Sequence, residues 1–239
     1  MDPYVYQNSN VLINKLNIMD EQKLIDVEAQ LIIASVVDIY SIIDDLDFTD
    51  STSLQIIHRF LFENLYTWAG EFRTINIYKN ERVLNSLSVM YCDKNYIKDT
   101  LDCIFEWVMQ IDWTSKNQQL PLQFTKFMTD LWRVHPFREG NTRTISIFMK
   151  LFADKNNLDF NAELLSQNAG YLRNALVMAA VEEKPEAIYL QRIITDALTN
   201  NFKGSIKQKE MKPSKYNTVG QYKVTSYEEK SFYTKPDEC

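Results

Sequence analysis

The 239-residue chain contains few of the residues that define several common classes of protein. It has only five glycines and six prolines, which fits poorly with collagen-like, low-complexity or turn-rich all-β architectures. Its three cysteines match neither a disulfide framework nor a zinc site, and its two histidines argue against a zinc enzyme. Because disulfides are rare in the reducing cytoplasm, we expect a cytoplasmic setting.

Long apolar runs and an excess of positive charge are also missing. The most apolar stretch, residues 31–37, is far shorter than the roughly 20 apolar residues that span a bilayer. The first ten residues include Asp2 and have neither a basic nor an apolar region, so we expect no secretory signal. Since the net charge is −6, we expect no nucleic-acid partner, and the lack of a membrane-spanning apolar run leads us to expect no membrane partner. Translocation as an effector stays open.

The composition that is present, 45% apolar and 24% charged residues, is ordinary for a globular domain. Charge divides the chain into two parts. Residues 203–239 carry eight lysines against five acidic residues, while residues 1–202 have a net charge of −9. We therefore predict one domain over 1–202, with an N-terminal helical extension, and a basic, flexible tail over 203–239.

Apolar residues recur at helical spacing through most of the predicted domain. The predicted helices cover residues 20–45, 53–68, 93–110, 121–135, 141–153, one or two between 161 and 181, and one from 185 to 199. Residues 72–90 differ, because their β-type composition favours a short hairpin, with an irregular loop as the alternative. A lone hairpin is marginally stable, so we expect it to clamp a binding surface.

The most informative stretch reads HPFREGNTR and covers residues 135–143. We predict that a helix ends at His135, because Pro136 cannot simply continue it. The chain then turns through Gly140, and a new helix begins near Asn141, whose side chain suits a helix cap. The result is a loop that leads directly into a helix N-terminus.

Four features of this loop together suit phosphoryl or nucleotidyl transfer. The free N–H groups and positive dipole end of the helix favour anions, and Arg143 adds a bidentate phosphate donor. Glu139 offers a hard oxygen ligand for Mg²⁺, and His135 is a base that titrates near neutral pH. Taken singly, each residue also has an ordinary interpretation as a satisfied polar side chain or a solvated charge.

The motif resembles the signature of Fic-domain proteins: His, any residue, Phe, any residue, Asp or Glu, Gly, Asn, Gly or Lys, Arg. Residues 58–62 and 66–73 resemble the helix that leads into the family's flap, and residues 74–85 correspond to the flap hairpin. Residues 4–6 and 11–16 resemble the segment that precedes the domain in many bacterial members. The resemblance implies a mainly α, Fic-type helical bundle with a short β-hairpin flap.

The resemblance also implies an activity, because Fic proteins mostly transfer AMP from Mg²⁺-bound ATP to a target protein's hydroxyl group and release pyrophosphate. By position, His135 becomes the catalytic base for a Ser, Thr or Tyr hydroxyl, and Glu139 becomes the Mg²⁺ ligand. The residues implied to bind the nucleotide phosphates are Gly140, Asn141, Thr142 and Arg143. The flap residues implied to dock the target are Thr74, Ile75, Asn76, Ile77, Tyr78 and Lys79.

Two positions depart from the family pattern. Thr142 stands where the family usually has glycine, and its side chain narrows the approach of a phosphate to the backbone. Ser146 stands where many members have a second arginine, which holds the γ-phosphate of ATP. We hypothesise that Lys150, one turn further along the same helix face, partly replaces that arginine.

Regulation in many Fic proteins depends on that same second arginine, which pairs with the Glu of an inhibitory Ser/Thr-x-x-x-Glu-Gly/Asn motif. Near matches at residues 67–71, 225–229 and 234–238 all lack the final Gly or Asn. We therefore expect no intramolecular inhibition of that kind. A small separate antitoxin protein is a candidate partner, as for some bacterial members.

Four matching signature residues, His135, Glu139, Asn141 and Arg143, favour an active protein adenylyltransferase. Three alternatives stay open: a Fic-fold enzyme that transfers another nucleotide or a phosphate, a catalytically weak protein that binds a nucleotide or a protein, and a helical interaction protein with a coincidental motif. Thr142 and Ser146 are the residues that favour the weak binder. Family toxins often modify topoisomerase subunits and translocated effectors modify host GTPases, but the sequence does not identify the target.

Overall fold

A computed structural model describes residues 2–79, 81–84, 88–182 and 185–198, so the predicted basic tail lies outside the described residues. The helices in this part of the chain are α1 (Glu21–Val37), α2 (Thr52–Phe62), α3 (Ile97–Val108), α4 (Leu120–Val134), α5 (Asn141–Lys155), α6 (Ala162–Gln167), α7 (Ala169–Ala180) and α8 (Ile188–Leu198). Short 3₁₀ segments cover Ile39–Asp45, Arg82–Leu84 and Lys94–Tyr96.

The helical pattern is confirmed, but two predicted helices end early. Helix α1 follows Asp20, whose carboxylate caps it by accepting a hydrogen bond from the Lys23 amide at 2.7 Å. It ends at Val37 because the Asp38 amide reaches back to the Ser35 carbonyl, and this tightens the chain into the 3₁₀ segment. Helix α2 ends at Phe62, and the buried residues that follow it belong to a compact turn.

Helix α4 lies at the centre of the bundle and contacts α3, α5, α7 and α8. Helix α5 also packs on α2, which in turn packs on α1. The core between α3, α4 and α5 is largely aromatic and includes Phe105, Trp113, Phe124, Phe127, Phe148 and Phe152. Because α4 and α5 are both anchored in this core, the loop that joins them has two fixed ends.

The β-hairpin flap is not confirmed. The described residues contain no β-strand, and backbone pairing among them is limited to isolated bridges such as Val5–Leu12. Residues 72–79 also bond to other segments: the Thr74 amide donates to the Tyr4 hydroxyl at 3.0 Å, and the Asn76 side chain donates to Asp93 at 2.8 Å. The Lys79 amide donates to the Ser88 hydroxyl at 3.4 Å. Residues 80 and 85–87 lie outside the described residues, so both the hairpin and the irregular loop stay predictions for 72–90.

The N-terminal segment packs against the same region. Asp2 forms a buried ion pair with Arg138 at 2.8 Å, and the Tyr4 ring packs edge-on against Trp68. The Lys15 amide donates to the Leu65 carbonyl at 2.8 Å, which ties the segment to the turn after α2. No helix in the described ranges is long and apolar enough to cross a membrane.

Candidate active site

Two residues with left-handed backbone lie at the two ends of the loop between α4 and α5. His135 follows the last residue of α4 at φ 51°, and Gly140 precedes α5 at φ 76°. An ideal Cβ built on Gly140 would lie 2.3 Å from Phe62 Cζ, so only glycine fits there. The predicted helix end at His135 and the turn through Gly140 are both confirmed.

Asn141 has a different role from the predicted helix cap. It is the first residue of α5, and Gly140 occupies the cap position. The Asn141 side chain instead reaches back to Phe137, donating to its carbonyl and accepting from its amide, both at 2.8 Å. These two bonds close the loop on itself, and fully buried Phe137 anchors it in the core.

His58 on α2 packs against the loop and hydrogen-bonds to it. It was not among the predicted site residues. Its Nδ1 accepts a hydrogen bond from the Gly70 amide at 2.8 Å, and its Nε2 lies 3.1 Å from the Glu139 carbonyl oxygen. The ring stacks on Phe137 with centroids 3.9 Å apart. Burial lowers the pKa of His58 to about 3, so the ring is neutral and donates from Nε2.

His135 is also neutral, but its hydrogen is on Nδ1, whereas that of His58 is on Nε2. Its Nδ1 lies 3.2 Å from the Trp132 carbonyl oxygen, and a carbonyl can only accept, so Nδ1 carries the hydrogen. Burial, together with the positive charges of Arg173 and Arg73, lowers the pKa of His135 well below its usual value. Nε2 is therefore the basic nitrogen. The ring is 3% exposed and lies 4.1 Å from the Tyr91 ring.

Arg73, at the start of the expected flap, ties that segment to the end of α4. It is buried, and its Nε donates to the His135 carbonyl at 2.9 Å, while the Arg73 amide donates to the Pro136 carbonyl at 2.8 Å. A second guanidinium nitrogen donates to the Ile75 carbonyl at 2.7 Å. Although burial lowers the pKa of Arg73 to about 10, the side chain keeps its charge at neutral pH. It therefore suits the negative end of the helix.

Glu139 lies at the mouth of the loop with its carboxylate partly exposed. Its Oε1 accepts from the Gly140 amide at 2.9 Å and lies 3.4 Å from an Arg143 nitrogen. Burial opposes the charge on Glu139, but Arg143 and the Gly140 amide outweigh it and lower its pKa. An ionised carboxylate that is 28% exposed can serve as a ligand of Mg²⁺.

No cluster of three metal-ligating side chains exists among the described residues. Mg²⁺ is commonly held by one or two carboxylates together with substrate phosphates and water. A single ionised carboxylate beside a helix N-terminus fits that pattern, and Glu139 would be the protein's ligand.

The phosphate-binding residues predicted from the resemblance lie around the N-terminus of α5. The first backbone bond of the helix runs from the Thr144 amide to the Gly140 carbonyl at 2.9 Å, so the amides before it lack an intrahelical partner. The Thr142 hydroxyl accepts from the Trp132 indole at 2.9 Å, which turns this side chain toward α4. Arg143 lies one residue further, with its guanidinium over the Phe62 ring at 5.2 Å.

The contacts found for the Lys150 ammonium group do not place it at the predicted phosphate-binding residues. Its Nζ lies 2.5 Å from the carboxylate of Asp154, one turn toward the helix C-terminus. The Tyr40 hydroxyl donates to the same carboxylate at 2.7 Å. Replacement of the second arginine by Lys150 therefore stays a prediction, since it requires the lysine to leave this pair.

Two acidic residues at the site escaped the sequence analysis, and both contact an arginine. Glu28 on α1 pairs with Arg143 at 2.5 Å, and Glu81 pairs with Arg173 of α7 at 2.6 Å. Glu28 sits in the buried stripe of α1 between Leu24 and Ile32, where an acid is unusual, and this spacing was the available signal. For Glu81 the sequence offers no comparable signal, because nothing near it in the chain indicates its partner.

Comparisons with known proteins identify the family. The model of the Fic/DOC family matches residues 48–153, which include α2 through most of α5. The chain is 31% identical over 154 residues to the probable protein adenylyltransferase y4lH of Sinorhizobium fredii, which covers 63% of this chain and 74% of that relative. It is 25% identical over 161 residues to the probable protein adenylyltransferase Fic of Escherichia coli, covering 64% and 72% respectively. The chain belongs to the Fic/DOC family.

Solved structures confirm the Fic-type helical fold. The N-terminal FIC domain of Bep8 from Bartonella sp. 1-1C superimposes with a TM-score of 0.67 at 19% identity, covering 85% of this chain and 98% of that one. BepC from Bartonella tribocorum, solved with bound AMPPNP, superimposes with a TM-score of 0.66 at 19% identity, covering 81% and 95%. At these identities the likeness concerns the fold alone.

Substituting Gly140 tests the shape of the loop. We expect Gly140→Ala to lower the free energy of unfolding by about 2–3 kcal/mol, because the new Cβ collides with Phe62 and the left-handed backbone becomes strained. Urea denaturation measures the change. The matched control is Gly170→Ala within α7, which should be neutral or slightly stabilising. Equal behaviour of the two variants would contradict the tight fit at Gly140.

The neutral state of His58 predicts a pH dependence of stability. Its pKa falls from 6.5 to about 3 on folding, so the unfolded chain binds the proton more readily and acid destabilises the fold. In a His135→Asn variant His58 is the sole histidine. There we expect the free energy of unfolding to drop by about 1 kcal/mol between pH 7 and pH 5.5, as measured by urea denaturation. A flat profile over that range would show that the folded state protonates His58.

Proposed function

We propose that this chain is a protein adenylyltransferase, which transfers AMP from ATP to a Ser, Thr or Tyr hydroxyl of a target protein and releases pyrophosphate. The observation that carries the proposal is that a basic histidine nitrogen and an ionised carboxylate on one closed loop lie beside an arginine in the first turn of the following helix. His135, Glu139 and Arg143 supply these groups. Two relatives named as probable protein adenylyltransferases, and the AMPPNP bound to BepC, support the choice of ATP.

His135 acts as the general base in this proposal. Its Nδ1–H bond to the Trp132 carbonyl fixes the ring, so that Nε2 takes the proton of the target hydroxyl. The hydroxyl oxygen then attacks the α-phosphorus of ATP, and the bond from that phosphorus to the pyrophosphate oxygen breaks. The products are the AMP-modified target, pyrophosphate and the proton that His135 releases.

The phosphates are bound at the start of α5. Its free amides and dipole attract the negative charge, and Arg143 contributes a planar guanidinium. Glu139 would hold Mg²⁺ together with phosphate oxygens, and the ion would offset the charge that develops on the departing pyrophosphate. Most of the rate then comes from positioning and from electrostatic stabilisation.

Target docking involves the segment from Thr74 to Lys79 in this proposal. An extended target segment pairs with its backbone and places the hydroxyl at His135. The Tyr91 ring packs over His135, and the Tyr91 hydroxyl lies 3.4 Å from Glu81. A target hydroxyl that reaches His135 would therefore lie next to the Tyr91 ring. Strand addition of this kind would also explain why the segment has no strand of its own before a partner is bound.

A different donor is the second candidate, and it rests on the polyphosphate end of the site. Ser146 lacks the charge of a second arginine, and the Lys150 ammonium is engaged by Asp154. A nucleotide with fewer phosphates, or a group other than AMP, would need fewer cationic contacts there. The identity of the labelled donor separates the two candidates.

The experiment incubates the purified chain with Mg²⁺, a cell lysate and ATP labelled on either the α- or the γ-phosphate. We expect label from the α-position on the chain itself or on a lysate protein, and none from the γ-position. A His135→Ala variant should lose the label by at least about a hundredfold, as for the loss of a general base. Thermal denaturation of the variant confirms that it is folded.

Each other outcome has a definite meaning. Label from the γ-position would indicate phosphate transfer, and label from another nucleotide alone would favour the second candidate. Label that persists in His135→Ala would remove His135 from the role of base. If no donor gives label even with the targets of a full lysate, AMP transfer by this chain is contradicted.

A further inference from the structure

Glu28 is an acidic residue in an apolar position. The buried residues of α1 are Leu24, Glu28 and Ile32, spaced by four, so Glu28 points from the core face of the helix. Its side chain is 10% exposed. Burying a carboxylate is costly unless it is paired and hydrogen-bonded, so its partners explain why it is tolerated there.

Both carboxylate oxygens of Glu28 have a partner from a different part of the fold. Oε1 lies 2.5 Å from the NH1 nitrogen of Arg143, and Oε2 accepts from the Tyr66 hydroxyl at 2.5 Å. Burial and the charge of Glu28 raise the pKa of Tyr66, so the phenol stays protonated and keeps donating. Tyr66 is itself stacked on Trp68 with centroids 4.4 Å apart. Tyr66 thus holds the Glu28 carboxylate in place independently of the contact with Arg143.

Arg143 is the group that gains from this arrangement. Its side chain is 38% exposed, so one edge of the guanidinium meets Glu28 while part of it remains open to solvent. Glu139 is its other carboxylate partner, at the longer distance of 3.4 Å. Without Glu28, the guanidinium would turn toward Glu139 and neutralise the carboxylate that the proposed function assigns to Mg²⁺.

We infer that Glu28 is a positioning residue, which fixes Arg143 in the orientation that binds phosphate and keeps it apart from Glu139. The inference rests on the proposed function only in naming ATP as the ligand. The orientation of Arg143 governs the binding of any polyphosphate at the start of α5. It does not govern the binding of a base or a ribose.

The test compares Glu28→Gln with Glu21→Gln, which removes the same charge from an exposed position on the same helix. Glutamine keeps an oxygen for the Tyr66 hydroxyl and loses the ion pair with Arg143. Calorimetric titration gives the affinity for ATP and for inorganic pyrophosphate in Mg²⁺, and an NMR titration gives the affinity for adenosine. We expect Glu28→Gln to bind ATP and pyrophosphate about tenfold more weakly, by analogy with the residues that hold metal ligands in place.

Adenosine binding separates positioning from general damage. It should be unchanged in Glu28→Gln, whereas a loss for all three ligands would show a structural role and overturn the inference. Unchanged or tighter binding of ATP and pyrophosphate would also overturn it, the latter by showing that Glu28 obstructs the site. If the unmodified chain binds pyrophosphate but not ATP, the proposed function fails, and the pyrophosphate titrations still decide the role of Glu28.

Discussion

A buried imidazole ring joins three parts of this molecule that are far apart in the sequence. His58 on α2 accepts from the Gly70 amide, donates to the Glu139 carbonyl and stacks on Phe137. The turn after α2 and the α4–α5 loop are therefore fixed relative to each other. Only a neutral ring can accept at one nitrogen and donate at the other, so the contact depends on the low pKa that burial imposes.

The rest of the loop's geometry depends on these contacts of His58. With Phe137 and the Glu139 carbonyl held, the loop closes through the two Asn141 bonds and the left-handed Gly140. The Glu139 carboxylate then projects beside the start of α5. The charged groups form a second layer, in which Glu28 holds Arg143 and Glu81 holds Arg173. A rigid backbone thus carries side chains whose charges are arranged in advance of any ligand.

Much of this could be predicted from the sequence, because local rules determine it. Periodic apolar residues placed the helices, and Pro136 and Gly140 placed the ends of the loop. The predicted helix end after Phe62 was wrong because the apolar residues that follow are buried in a turn. Their spacing does not distinguish a buried turn from one more turn of helix. The hairpin is not confirmed, and two of the segment's polar groups bond to Tyr4 and Asp93, which are distant in sequence.

The side chains that support the site were harder to predict. His58, Glu28 and Glu81 act through partners 81, 115 and 92 residues away, and residue type alone does not reveal such a partner. For Glu28 the sequence offered a hint, an acid inside an apolar stripe. For Asn141 it misled, because the residue suits a cap but its side chain closes the loop instead. Tertiary contacts overrode the local preference there.

The two histidines are both neutral and carry their hydrogens on opposite nitrogens. Long-range ¹⁵N–¹H correlation spectra of the chain at about pH 6 test it directly, because there are only two histidines and a His135→Asn variant assigns them. We expect a hydrogen on Nε2 of His58 and on Nδ1 of His135. A charged ring at either position, or the same tautomer at both, would contradict it.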